Sequence, residues 1–175
     1  MNHKDVVMKR TNTGMSLAEL LIIVCLLCIA SSIALPAFSQ FLQRNKLEAL
    51  VDQLHGQIAH ARALSVATHR DVEICGTVDG ATCTSTWKSG WIVRSPANDT
   101  VFSHHRIGEQ ERLRWAGLSK QIRFHSNGTT TLGNGRFYLC DRQDELQWQL
   151  VLNRQGRIKR VRGLEKNQQV SKPCG

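Results

Sequence analysis

The residue of this chain whose setting demands chemistry is Glu19, a carboxylate at the head of an apolar run. From Leu20 to Gln43 there are twenty-four residues with no Asp, Glu, Lys or Arg. A lone carboxylate in such a setting costs roughly 2.5 to 3.5 kcal/mol on membrane-insertion scales, and charges of this kind find partners. No basic side chain lies within a helical turn or two of Glu19. A free α-amino group on a neighbouring copy would supply the cation. Each subunit would then neutralise another, which is a route to a polymer. The alternative is a carboxylate that snorkels to the headgroups.

Other residues offer narrower chemistry. Cys25 and Cys28 have C-x-x-C spacing, but inside the apolar run they read as small hydrophobes. Cys75, Cys83, Cys140 and Cys174 lie outside it, and in an oxidising compartment four cysteines imply two disulfides with three possible pairings. The pairing expected is Cys75 with Cys83, pinning a local loop, and Cys140 with Cys174, tying the tail to a strand. Loops of these lengths contribute roughly 2.6 and 4 kcal/mol in the chain-entropy treatment. A zinc site would need the paired spacing that these four lack. No metal or cofactor is expected, and the absence of a G-x-S-x-G elbow, a Walker loop or an H-E-x-x-H motif argues against an enzyme.

A basic tail is the remaining candidate. Between Val151 and Lys172 stand Arg154, Arg157, Lys159, Arg160, Arg162, Lys166 and Lys172 against the single acid Glu165. On a strand, Arg157 and Lys159 point to one face and Arg160 and Arg162 to the other, so a terminal hairpin could present cations to a phosphate chain on both sides. The competing reading is an edge strand kept from aggregating by its charges. The four tryptophans, Trp87, Trp91, Trp115 and Trp148, read as core rather than as base-stacking platforms. His104 and His105 read as surface.

The elements that position these groups follow from pattern. The 175 residues suffice for one domain plus an anchor. Residues 15–43 are long enough to cross a hydrocarbon core of about 30 Å as a helix. Pro36 removes one backbone donor and should kink that helix. Beyond it, Leu47, Leu50, Val51, Leu54, Ile58, Ala61 and Leu64 recur at steps of three or four, an apolar stripe on an amphipathic helical half over residues 44–69. From residue 70 to 175 short alternating runs punctuated by Gly, Asn and Asp predict antiparallel strands: residues 71–75, 90–95, 121–125, 135–140, 147–153 and 157–162. Residues 1–14 are polar and basic, the charge sense of a cytoplasmic flank. That places the strand-rich part across the membrane. The fold class is α+β.

The run Gly14, Met15, Ser16, Leu17, Ala18, Glu19 resembles the prepilin signature of type IV filament proteins, G followed by F-T-L-I-E. Met15, Ser16 and Ala18 depart from it while keeping small or apolar character. Ile122-Arg123-Phe124, Asn127-Gly128, Phe137 to Cys140 and Leu150 to Arg157 resemble the C-terminal part of the FimT/FimU/GspH family of type IV minor pilins and type II secretion pseudopilins. The resemblance implies a type IV pilin-like fold, one long N-terminal helix packed on antiparallel sheet. It also implies a leader over residues 1–14, cleaved by a prepilin peptidase that methylates the new N-terminus. Glu19 and Pro36 become assembly residues at mature positions five and twenty-two. Removing the leader takes three basic residues and one acid from the formal charge of +9, leaving +7.

Other pilins or pseudopilins would be the partners, in a filament grown from the bacterial inner membrane with the domain in the periplasm. Gly156-Arg157-Ile158-Lys159-Arg160 further resembles the G-R-x-R motif of DNA-binding FimT pilins, which serve natural transformation. Lys159 replaces the second arginine, keeping charge but losing bidentate geometry. DNA is thus a candidate partner; the alternative is a GspH-like pseudopilin of type II secretion that binds none. Mass spectrometry of the mature protein should find Met15 at its N-terminus, and Glu19→Ala should abolish incorporation into filaments. A start elsewhere, or undiminished incorporation, overturns the pairing.

Overall fold

The computed structural model describes residues 14–108, 111–166, 168–169 and 172–174. The leader expected over residues 1–14 lies, apart from Gly14, outside the described residues. The chain divides into two units, residues 1–42 and 43–175.

One helix, α1 (Leu17–Thr68), runs through both. In the first unit every described side chain is exposed, and this helix is long and apolar enough to cross a membrane. Backbone bonding within a helix meets the demand that lipid imposes. The hydroxyls of the span are satisfied in the same way: Ser31 donates to the Leu27 carbonyl at 2.7 Å, Ser32 to Ile29 at 2.7 Å and Ser39 to Pro36 at 2.9 Å. Pro36 lies inside the helix, which continues past it.

In the second unit α1 buries one stripe, Leu47, Leu50, Val51, Leu54, Ile58, Ala61 and Ser65. It is the stripe read from the sequence, except that Ser65 joins it and Leu64 stays half-buried. Eight strands follow: β1 (Val72–Gly76), β2 (Gly90–Arg94), β3 (Val101–Arg106), β4 (Arg112–Gly117), β5 (Gln121–Phe124), β6 (Gly135–Cys140), β7 (Leu146–Leu152) and β8 (Ile158–Arg162). They form two four-stranded antiparallel sheets, ordered β3-β2-β1-β5 and β4-β6-β7-β8.

Val72, Ile74, Trp91, Val93, Ile122 and Phe124 from one sheet, and Leu113, Phe137, Leu139, Leu150 and Leu152 from the other, share a core with the helix stripe. Each such side chain contributes on the order of 1.5 to 3 kcal/mol by leaving water. Trp87 and Trp91 are buried, while Trp115 and Trp148 pack against the core half-buried. Trp87 meets Phe137 edge-on at 4.8 Å, and its indole donates to the Lys120 carbonyl at 3.1 Å.

β3 and β4 had no counterpart in the sequence reading. β3 alternates half-buried and exposed residues. Its inward positions are Val101, Ser103 and His105, and the last two bond to the helix, Ser103 to Gln57 at 2.9 Å and His105 to Gln53 at 2.8 Å. A strand whose inner face is polar shows no apolar alternation. His105 also stacks on Trp91 at 4.4 Å, so it is no simple surface residue. Burial, and next the neighbouring His104, hold its imidazole below the ordinary 6.5.

The disulfides join Cys75 to Cys83 and Cys140 to Cys174, with Cα separations of 5.5 and 5.9 Å. Cys25 and Cys28 are free and exposed. Beside the first disulfide lies Glu73, fully buried on β1. Its flanking strand partners are Arg94 on β2 and Arg123 on β5, and their guanidinium nitrogens stand 3.8 and 3.3 Å from Oε2. Glu73, Cys75 and Cys83 are the one cluster of three candidate metal ligands among the described residues, and the disulfide removes both thiolates. Removing one member of a buried ion pair leaves the others uncompensated. Glu73→Ala should therefore cost about 3 kcal/mol in denaturant unfolding, whereas Glu145→Ala, on an exposed turn, should cost under about 0.5 kcal/mol.

Candidate functional site

In the N-terminal unit Gly14 and Met15 precede the helix, and Ser16 caps it. The Glu19 amide donates to Ser16 Oγ at 3.2 Å and the Leu20 amide to the Ser16 carbonyl at 3.1 Å. The S-x-x-E spacing of a capping box, within the run that resembles the prepilin signature, announces this arrangement. Glu19 thus occupies the first turn, where the helix dipole favours a negative charge. It makes no ion pair among the described residues, and the residue is exposed.

The basic tail is less uniform than its sequence. Alternation on β8 places Ile158, Arg160 and Arg162 on the face shared with Leu152, Leu150 and Trp148, their partners on β7. Arg160 pairs with Asp52 of the helix. The guanidinium carbons of Arg160 and Arg162 lie 4.9 and 5.8 Å from the Trp148 ring centre, a cation–π arrangement. Lys159 points the other way and bonds to Glu165 at 2.9 Å, whose second oxygen takes Arg136 at 2.8 Å. Beneath them Gln149, fully buried, donates to the Gly163 carbonyl at 2.6 Å and bonds to Gln168 at 2.9 Å. The segment after β8 therefore folds over the outer face of its own sheet.

The expected wrap of free cations on both faces is corrected accordingly. One face serves the helix and the other the tail. Arg154 and Arg157 are different: they lie on the turn joining β7 to β8, exposed, and their side chains have no partner among the described residues. That turn is built by Asn153, whose side-chain oxygen accepts the Arg157 amide at 2.9 Å, and by Gly156 at φ +72°. A Cβ at Gly156 would collide with the Gly128 carbonyl. The glycine of the G-R motif is thus explained by chain packing alone. Arg62 of the helix donates to the same Gly128 carbonyl at 2.9 Å, and with His55 and Arg157 it lines a cleft of about 670 Å³.

The sequence profile described as Type II transport protein GspH matches residues 50–156. The chain belongs to the GspH family. Two crystal structures of the type IV minor pilin FimU of Pseudomonas aeruginosa strain PAO1 are similar in fold. The form in space group P21 has a TM-score of 0.53 and 22% identity, over 68% of this chain and 90% of that one. The form in space group P65 has a TM-score of 0.53 and 19% identity, over 65% and 91%. No curated protein matches. The type IV pilin fold, a long apolar-headed helix packed on antiparallel sheet, is therefore the fold of this GspH-family chain. The family is one of structural pilin and pseudopilin subunits. The profile match stops at Gly156, so Arg157, Lys159, Arg160 and Arg162 lie beyond it.

Lys159 and then Arg136 hold the Glu165 carboxyl below its ordinary 4.5. A depressed carboxyl stabilises the fold fully above the ordinary value and loses that contribution as pH falls below it. Titrating from neutral pH to below 4.5 should thus free the Lys159 ammonium and loosen the tail before the core unfolds. In NMR the Gly163 and Gln168 amides should shift in step with the Glu165 carboxyl. Shifts that track global unfolding instead would show that the ion pairs do not hold the tail.

Proposed function

We propose that this GspH-family chain is a minor subunit of a type IV filament, acting in pilus assembly or priming, and that it binds DNA through the turn and strand of its C-terminal hairpin. The prepilin peptidase cuts between Gly14 and Met15. Residues 15–43 hold the subunit in the bacterial inner membrane, with the domain in the periplasm. Glu19 then accepts the N-terminus of a neighbouring pilin as the helix, with Pro36 in it, joins the filament. The observation that supports this reading is an exposed apolar first half of the helix, headed by a carboxylate with no ion pair among the described residues, on a chain of this family.

For DNA, the support is Arg154 and Arg157 on an exposed turn with no intramolecular partner among the described residues. Lys159, Arg160 and Arg162 are secondary contacts, since a phosphate must first compete with Glu165, Asp52 and Trp148. Such binding would serve natural transformation. The second reading, a pseudopilin of type II secretion without DNA binding, is favoured by the description of the matching family itself.

Mobility shifts of the full chain in detergent separate these readings. Each phosphate contact adds about 0.9 to the slope of log affinity against log salt on duplex DNA. Arg154→Gln with Arg157→Gln should weaken binding and lower that slope by about 1.8, and Lys159→Gln with Arg160→Gln should change it less. Equal binding by the wild type and the first variant removes the DNA assignment. Deletion of the gene, scored for piliation, transformation and export, then separates pilus from secretion.

A further inference from the structure

A second cleft of the domain lies beside the C-terminal disulfide. It measures about 720 Å³ and is bounded by the end of β3, the start of β4 and the Cys140–Cys174 disulfide. Ile107 and Leu113, both buried, and Val78 supply apolar floor and wall. Lys88, Arg106, Arg112 and Arg114 line it, with Glu111 as the one acid among the described lining residues. Arg112 pairs with Asp144, and Arg114 donates to the Lys172 and Pro173 carbonyls at 2.9 and 3.1 Å. Lys88 and Arg106 have no partner among the described residues. Two free cations above an apolar floor suit a ligand that is anionic at one end and apolar beside it.

The register of β3 on the helix fixes which end of the domain this is. Ser103 bonds to Gln57 and His105 to Gln53, so β3 runs antiparallel to α1. Its continuation through Arg106 and Ile107 therefore heads toward Leu50 and Leu47, where the chain leaves the domain for the apolar segment. Leu50 lies eight Cα steps beyond Leu42. Even fully extended they span at most about 28 Å. The cleft is thus tethered to whatever bilayer holds the apolar segment, at high effective concentration.

We propose that this cleft binds the headgroup of an anionic phospholipid in that bilayer, with Lys88 and Arg106 on the phosphate and Ile107, Leu113 and Val78 against the glycerol and first methylenes. Docking would hold the domain on the membrane surface until assembly withdraws it. The inference rests on the proposed anchoring by residues 15–43, and it is independent of the DNA reading.

Hydrogen exchange on the full chain in nanodiscs tests it. One set of discs is phosphatidylcholine alone and the other equal parts phosphatidylcholine and phosphatidylglycerol. A chain that elutes without lipid refutes the anchoring and the docking with it. For a chain that inserts, exchange in peptides spanning residues 101–108 and 111–117 should slow about tenfold in the anionic discs and recover at high salt. A Lys or Arg near an anionic surface is worth about fivefold in binding, so Lys88→Gln with Arg106→Gln should remove the slowing. Arg154→Gln with Arg157→Gln should keep it. Both substituted pairs are exposed, and unchanged thermal midpoints confirm the fold. Equal exchange in the two discs, or slowing that survives Lys88→Gln with Arg106→Gln, overturns docking here. Slowing produced in phosphatidylcholine discs by inorganic phosphate or by duplex DNA also overturns it, assigning the cleft to small anions or to nucleic acid.

Discussion

The domain depends on one stripe of one helix. Leu50, Val51, Leu54, Ile58 and Ala61 recur at helical spacing and are taken out of water by residues of both sheets. Neither sheet holds a core without that stripe, because Ile74 and Val93 on one side and Leu139 and Leu150 on the other converge on it. A helix so used keeps only its remaining faces for polar work. Those faces carry Asp52, Gln53, Gln57 and Arg62, the residues that reach out to Arg160, His105, Ser103 and the Gly128 carbonyl. The helix thus sets both what is buried and where the polar ties of β3, β8 and the 126–130 loop must fall.

The same helix continues into a segment with no buried side chain at all. Within it, leftover hydrogen-bonding capacity is absorbed locally, by Ser16 at the cap and by Ser31, Ser32 and Ser39 along the rod. Glu19 is the exception. Its backbone is satisfied and its position in the first turn is favourable, but its charge lacks a counter-ion among the described residues. The local bonds thus fix the geometry of the helix start and leave the Glu19 carboxylate exposed.

Much of this was legible in the sequence, for identifiable reasons. The helix stripe announces itself through period, β5 to β8 through apolar runs bounded by Asn-Gly and Gly-containing turns, and the cysteines through their number and spacing. β3 was hidden because its inward residues include Ser103 and His105, which bond to the helix rather than bury carbon. β4, reading Arg-Leu-Arg-Trp-Ala-Gly, lies next to no strong turn signal and buries only Leu113 fully. The tail misled for a different reason. A count of Arg and Lys cannot show that Asp52, more than a hundred residues earlier, neutralises Arg160, or that Glu165 turns back on Lys159. The basic cleft was invisible too, since Lys88, Arg106 and Arg114 come together only through β2, β3 and β4.

Charge in this domain is best read through its partners. Each sheet has two strands whose cations meet on one carboxylate: Arg94 of β2 and Arg123 of β5 converge on Glu73, and Arg136 of β6 and Lys159 of β8 converge on Glu165. Such groups raise the formal charge without presenting it to a ligand, and a polyanion would have to displace a carboxylate to reach them. Two pairs without a partner among the described residues stand apart from these, Arg154 with Arg157 on the β7–β8 turn and Lys88 with Arg106 at the mouth of the cleft. They differ in kind. The first pair stands on an exposed turn, with Arg157 at the edge of the cleft it shares with Arg62 and His55. The second surrounds a concave, partly apolar space, which suits an anion carrying its own hydrocarbon. Local shape, more than the net +9 of the chain, therefore decides which anion each pair can hold.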